Sequence, residues 1–450
     1  MRVRRGLRSV SDSSIAVAVG LCLLFATLTG SPVMAASRTK IVWWGDVLDA
    51  KYTTKLIERF EQLHPEYDVE YQQQGWPINT KLTAAIAAGT PPDVVLLDRF
   101  ELASWAYMGA LEPLDDYIKR DKIDPSQWFA GTWAETQFNG QTWGLPHSTD
   151  SRLMYYNVDF FEGAGMDANR PPRTWKELED AARKLNKWTS DGKLSRLGFS
   201  PTVHSNWYFY GWLWANGGEI VDPATDKLLF NSEIGRETLE WMVRFEDTIN
   251  GGINKVDEFS ANFTGYVGWG FYNEKLAMQI QTTSIDKDII VYNPSMNWKA
   301  TAVPIGPHGN KAVTWSGGFA MAIPKNSAHR EAAWQFAKYV TSDLWAQTDL
   351  GLGVGWTPAL VKAAHDEAFL KLSPNMPAFV AIMQVSLWRP VVPYATILSQ
   401  ILNDVMVLKT TRHELTAQAA LSWAEEQLKI EIDKTKQVLQ RRGERFSRSQ

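Results

Sequence analysis

The chain has 450 residues, 45% of them hydrophobic, with 46 Lys and Arg against 50 Asp and Glu, so its formal charge is −4. An acidic balance argues against nucleic acid or an anionic membrane surface as a partner. The length exceeds what one core supports and predicts two domains.

Arg2, Arg4, Arg5 and Arg8 precede an apolar run over residues 15–28, Pro32 ends it, and Val33-Met34-Ala35 offers small side chains at the −3 and −1 positions. This is the layout of a secretory signal, and the run falls short of the roughly 20 residues a spanning helix needs. Residues 1–35 are therefore expected to be removed on export. Cys22, the single cysteine, lies inside the apolar run rather than at its end, where a lipid-bearing cysteine would sit. Losing 1–35 leaves no cysteine and brings the formal charge to −7, since that segment holds four Arg and one Asp.

Residues 40–44 read as a short apolar strand, and 49–63 as a helix with Leu56, Phe60 and Leu63 on one face. A strand over 68–72, a helix over 78–88 and a wholly apolar strand over 93–97 follow, the last of the kind buried in a parallel sheet. Strand, helix, strand, helix, strand predicts a doubly wound α/β lobe. A second set opens with a strand over 152–156. Thr174-Trp175-Lys176-Glu177 is a capping box for a helix running to about residue 188. Helices over 207–215 and 234–249 and strands over 276–281 and 300–303 come next. Beyond 330 the pattern is mostly helical: 330–340, 376–385, 393–408, and a last helix capped by Thr411 to Glu414. No repeat and no Pro/Ser-rich linker separates the halves, which favours two lobes joined by several crossings over beads on a string.

Enzyme signatures are missing: no GxSxG, HExxH, P-loop or GxGxxG after a strand. The seven His are scattered without metal-ligand spacing, and no metal or other cofactor is expected. Asp115-Asp116 and Glu425-Glu426 are helix neighbours that diverge by about 100° and cannot share a substrate. A hydrolase can still draw two carboxylates from distant parts of a fold. The 21 Trp suit core filling and sugar stacking equally.

Ile41-Val42-Trp43-Trp44-Gly45-Asp46, Gly89-Thr90-Pro91-Pro92-Asp93-Val94, Gly109-Ala110-Leu111-Glu112-Pro113-Leu114 and Pro172-Arg173-Thr174-Trp175-Lys176-Glu177-Leu178 occur in order, followed by Trp315-Ser316-Gly317-Gly318 and Arg389-Pro390. In order and spacing over 40–432 they resemble the extracellular solute-binding protein family 1 of carbohydrate ABC importers, the group of maltose-binding proteins. Two departures stand out: Glu274 occupies a turn where many members have Gly, and Gln281-Thr282-Thr283-Ser284-Ile285 replaces the frequent N-G-S-W, removing an aromatic platform.

The resemblance implies two doubly wound α/β lobes of the type II periplasmic-binding-protein kind, joined by hinge crossings, with a ligand cleft between them. The expected lobes are 36–147 with 301–345, and 148–300 with 346–450; hinges are expected near 147–152, 299–303 and 343–353. It implies a sugar or oligosaccharide ligand, a permease partner at the membrane, a monomer, no catalytic residues, and a place outside the plasma membrane, periplasmic or at the cell surface. A secreted glycoside hydrolase, the same fold holding a sugar phosphate or polyamine, and an adhesin are the competing readings.

Ligands of doubly wound lobes bind where loops leave the carboxyl ends of strands. Trp44 and Asp46 follow the first strand, Asp98 and Arg99 follow the third, and Asp150 lies at the first hinge. Asp and Arg together read both halves of a hydroxyl pair. Trp315 beside Gly317 offers a ring and close backbone approach, and Trp269 and Trp388 complete the candidates. Each has a structural alternative: Asp98-Arg99 as a helix cap with a surface arginine, Asp46 as a loop cap, and the tryptophans as core.

Overall fold

The computed structural model describes residues 37–45, 48–75, 78–203, 208–222, 225–261 and 269–441; the expected leader and Asp46 lie outside them. From Arg38 onward the chain is one unit.

The strand Thr39–Gly45 alternates as its sequence requires, with Ile41 and Trp43 buried against one face and Trp44 packed half-buried against the other. It is the second strand of a five-stranded sheet ordered Tyr67–Gln73, Thr39–Gly45, Val94–Asp98, Phe319–Ala322, Leu145–Pro146. The first three run parallel, and Phe319–Ala322 runs antiparallel beside the third, with Phe319 opposite Asp98. Gly45, Asp98 and Phe319 therefore share one edge, the carboxyl edge of the parallel strands.

The helix Ala50–Leu63 starts where Asp49 accepts the N–H groups of Lys51 and Tyr52. It buries Leu56 and Phe60, but Leu63, expected on the same face, is 54% exposed because the helix outruns its core. The second lobe is built on three antiparallel strands, Met278–Gln281, Leu153–Asn157 and Trp298–Thr301, with a core of its own that includes Trp175, Trp212 and Trp241. Among the described residues no helix is long and apolar enough to cross a membrane.

Several boundaries move for identifiable reasons. The capping box of Thr174 and Glu177 is present, yet its helix ends at Leu185 rather than near 188. Asn186 stops it by donating to the Ile249 carbonyl and accepting the Gly198 N–H, and Lys187–Trp188 continues as strand. The last helix spans Ala417–Arg441, not from 411: His413 takes φ 58°, and Thr416 receives the first helical bonds. Residues expected as the third crossing form the helix Leu344–Val354, capped by Asp343 and ended by Gly355 at φ 85°.

The crossings are short paired strands. Ser148–Thr149 pairs with Thr357–Pro358, and Thr314–Trp315 pairs with Ser386–Leu387. Val303, Val313 and Trp315 pack in the second lobe's core, whereas Ala346, Leu350, Leu360 and Ala363 pack in the first's. Residues just after each expected border, 300/301 and 345/346, thus pack in the core of the other lobe. Apolar spacing says that a residue is buried, not in which core.

Candidate functional site

At the end of the third strand, Asp98 turns the chain into a short helical segment by accepting the Phe100 N–H at 3.4 Å. Its carboxylate also accepts from Arg389 Nη2 at 2.6 Å. Arg389 reaches Glu135 Oε1 at 3.3 Å, and Glu135 Oε2 in turn accepts from Arg99 Nε at 2.9 Å. Beside this chain, Asp150 accepts from Arg152 Nη1 and from the Gly317 N–H, both at 2.6 Å. Three guanidiniums thus meet three carboxylates, and the charges cancel. Taking such ions from water costs several kcal/mol each, by roughly the Born argument, so the pairing is a condition of burial.

Burial shifts two titratable neighbours of this cluster toward their neutral forms. His147, wholly buried, is held down to about 3 by burial and by the Arg99 charge, so its imidazole is neutral. Burial and the Asp98 charge push Glu101 up to about 7, although Asn79 donates to its carboxylate at 2.8 Å.

Against this geometry the candidates divide. Arg99 is fully buried and directs its donors to Glu135 and to the carbonyls of Ser148 and Gly317, tying the hinge rather than facing solvent. Trp315 is 2% exposed and packed in the second lobe's core, with Gly211 leaving it room. The backbone at 317 and 318 serves the hinge as well: Gly318 takes φ 119° against the Ser148 carbonyl and the Arg99 guanidinium, where a Cβ has no space. Trp44 is half-buried with its Nε1 donating to Gln72 at 2.8 Å. Asp46 lies outside the described residues, and of Trp269 only its place at the start of the helix Trp269–Tyr272 is described.

Trp388 is different. It is 43% exposed, adjoins Arg389, and lies against Gly131, where a Cβ would come within 2.8 Å of Trp388 Cε3. Asp98, Asp150 and Trp388 are thus gathered around one buried ion network, two carboxylates and one open indole. Glu135, Arg152 and Arg389 escaped the sequence reading as site residues. Arg389 had a signal in its position after Trp388; Glu135, 36 residues from Arg99, had none. Among the described residues no group of three His, Cys, Asp or Glu could hold a metal ion.

Two α/β lobes, paired crossings between them and a polar cluster where the crossings meet define the class of bilobal solute receptors. The model of the bacterial extracellular solute-binding proteins matches residues 44–347, and the chain belongs to that family, whose members serve ABC importers. A Brucella abortus protein whose name proposes a binding role without naming a ligand is 25% identical over 368 residues, 79% of this chain and 84% of that one. The solved structure of CpMnBP1 with mannotriose bound is 25% identical at a TM-score of 0.72, over 86% of this chain and 99% of that one. UgpB of Mycobacterium tuberculosis, solved with glycerophosphocholine, is 20% identical at a TM-score of 0.75, over 88% and 99%.

Proposed function

We propose that this chain captures a neutral sugar or oligosaccharide in the inter-lobe cleft and delivers it, unaltered, to the membrane permease of an ABC importer. The observation that carries the reading is the open indole of Trp388 beside the Asp98–Arg389 pair. An aromatic face covers the apolar side of a pyranose, and an ion pair at the cleft accepts from and donates to vicinal hydroxyls. Charge balance among Arg99, Arg152, Arg389, Asp98, Glu135 and Asp150 supports a neutral ligand over a phosphate, which needs surplus cations. Lobe closure follows when one ligand touches both lobes, because only a differential affinity shifts a two-state equilibrium. In this reading the mature protein acts outside the plasma membrane as a monomer.

The experiment is a thermal-shift screen of the mature protein against neutral oligosaccharides, glycerol 3-phosphate, glycerophosphocholine and polyamines. At 100-fold excess over Kd the linkage term is about 2.7 kcal/mol, a rise of several degrees in Tm. Stabilisation by neutral sugars, with the sugar recovered intact by chromatography, supports the proposal. Stabilisation by the phosphodiester alone replaces the cargo, and shortened sugar products replace the binding role with hydrolysis.

A further inference from the structure

The second lobe holds the hinge through one turn and the helix that follows it, Ser284–Tyr292. Thr283 Oγ1 donates to the Gly355 carbonyl at 3.1 Å and lies 3.2 Å from Thr357 Oγ1, on the crossing paired with Ser148–Thr149. Lys287 donates to the Gly353 carbonyl. Asp286, between them in sequence, is wholly buried. Its carboxylate accepts from the Tyr155 hydroxyl on the strand Leu153–Asn157 and from the Ser373 hydroxyl, and the Asn375 side chain adds a third donor. Ser373 in turn accepts the Asn375 N–H at 3.2 Å.

Ser373 belongs to the stretch that carries the chain from one lobe to the other. Leu360 and Ala363 pack in the first lobe's core, and Phe369 lies against Gly351 of the helix Leu344–Val354. Phe379, ten residues on, packs with Tyr155 and Ile285 in the second lobe. Asp286 thus fastens this connection to the second lobe's sheet.

A buried carboxylate is ordinarily paired with a cation. Among the described residues Asp286 has no such partner. Its own helix offers Lys287, committed to Gly353, and Asp288, a second acid; the strand and the connection offer only hydroxyls and an amide. Burial accordingly pushes the Asp286 carboxyl up to about 6. The network accommodates both forms. Ionised, Asp286 accepts from both hydroxyls. Protonated, it donates to the Tyr155 oxygen, because the Tyr155 hydroxyl has a second acceptor in the Thr282 carbonyl at 3.3 Å, while Ser373 keeps its bond to the other oxygen.

We propose that Asp286 is a proton-operated latch between the lobes: protonated, it locks the Ser373–Asn375 connection onto the second lobe, and ionised, it lets that connection go. A carboxyl raised by burial binds its proton more tightly buried than exposed, so the latched arrangement is favoured in acid and loses its advantage as pH rises through about 6. Thr283 and Lys287 hold the crossing region 353–357 from the same turn, so the latch sets how freely the lobes rotate, whatever the cargo.

The test is amide hydrogen exchange of the ligand-free mature protein, corrected for the intrinsic rate at each pH. Protection over 373–380 should fall about tenfold from pH 5 to pH 7.5, the factor for a carboxyl at about 6 latched and at its ordinary 3.8 released. Asp286→Asn keeps one acceptor and one donor, as the protonated acid does, and should hold protection constant over that range. Asp288→Asn, whose own carboxyl burial also raises to about 6, should leave the wild-type fall intact. Should Asp286→Asn not fold, Ser373→Ala serves instead: it should lower protection at pH 5 and abolish the fall. No fall in wild type, a fall that survives Asp286→Asn or Ser373→Ala, a fall lost in Asp288→Asn, or one spread evenly over the whole chain overturns the latch.

Discussion

Asp98 and Arg389 are 291 positions apart in sequence and 2.6 Å apart in space, one at the end of the first lobe's third strand and the other beyond the strand Ser386–Leu387. Breaking that pair from either side should have unequal effects. Arg389→Ala leaves Asp98 and the buried Glu135 without a shared cation. Loss of one member of a buried pair costs about 3–5 kcal/mol, to be read as a lower urea midpoint at unchanged slope. Asp98→Asn keeps shape and one acceptor, and should cost less stability while weakening sugar binding and blurring discrimination between epimers.

Trp388 and Trp315 should separate cleanly. Trp388→Ala removes an exposed ring and should weaken sugar binding by about 2 kcal/mol, the usual hot-spot value, with Tm nearly unchanged. Trp315→Ala empties a core position and should destabilise the fold by about 3–5 kcal/mol. Calorimetry and thermal melts on both variants give the two signatures.

Gly131 supplies a subtler check of the same platform. It lies in the helix Ala130–Ala134, where alanine is intrinsically favoured over glycine by about 1 kcal/mol. A Cβ there would nonetheless press on the Trp388 ring at 2.8 Å. Gly131→Ala should therefore weaken binding without lowering stability, and Gly131→Val should do so more strongly. Unchanged affinity in both variants would show that the position of Trp388 does not matter.

The pH dependence of stability follows from Glu101 and His147. A carboxyl raised to about 7 binds its proton more tightly folded than unfolded, so its contribution is full below the ordinary glutamate range and lost as pH rises through about 7. Glu101→Gln should flatten that limb and make the variant relatively more stable at pH 8. His147, held at about 3, acts in the opposite sense: its contribution is complete above the ordinary histidine value and lost as pH falls toward 3. Urea midpoints measured from pH 4 to 8 on wild type and Glu101→Gln check the first sign.

Much of this arrangement is legible in one dimension because it is local. Alternation at Ile41 and Trp43, the cap at Asp49, the capping box of Thr174 and Glu177, and the apolar third strand are each set by neighbours within a few residues. The placement of Asp98 and Asp150 near the crossings follows from strand ends alone. Helix ends set by distant partners were not legible: Asn186 halts its helix through Ile249 and Gly198, which no pattern near 186 announces.

What the sequence determined by itself is the two-lobed α/β plan, the acidic balance, and which strand ends carry carboxylates. What only the tertiary structure decided is the use of each polar and aromatic residue. Arg99 and Trp315 have the composition of a sugar site, yet long-range burial commits one to Glu135 and two hinge carbonyls and the other to a core. Trp388 becomes an open ring because Gly131, far away in sequence, leaves it room, and Phe319 and Trp356 meet only because two crossings lie side by side. Burial is a property of the folded surface as a whole, so a residue's type limits what it can do while the distant chain selects which of those things it does.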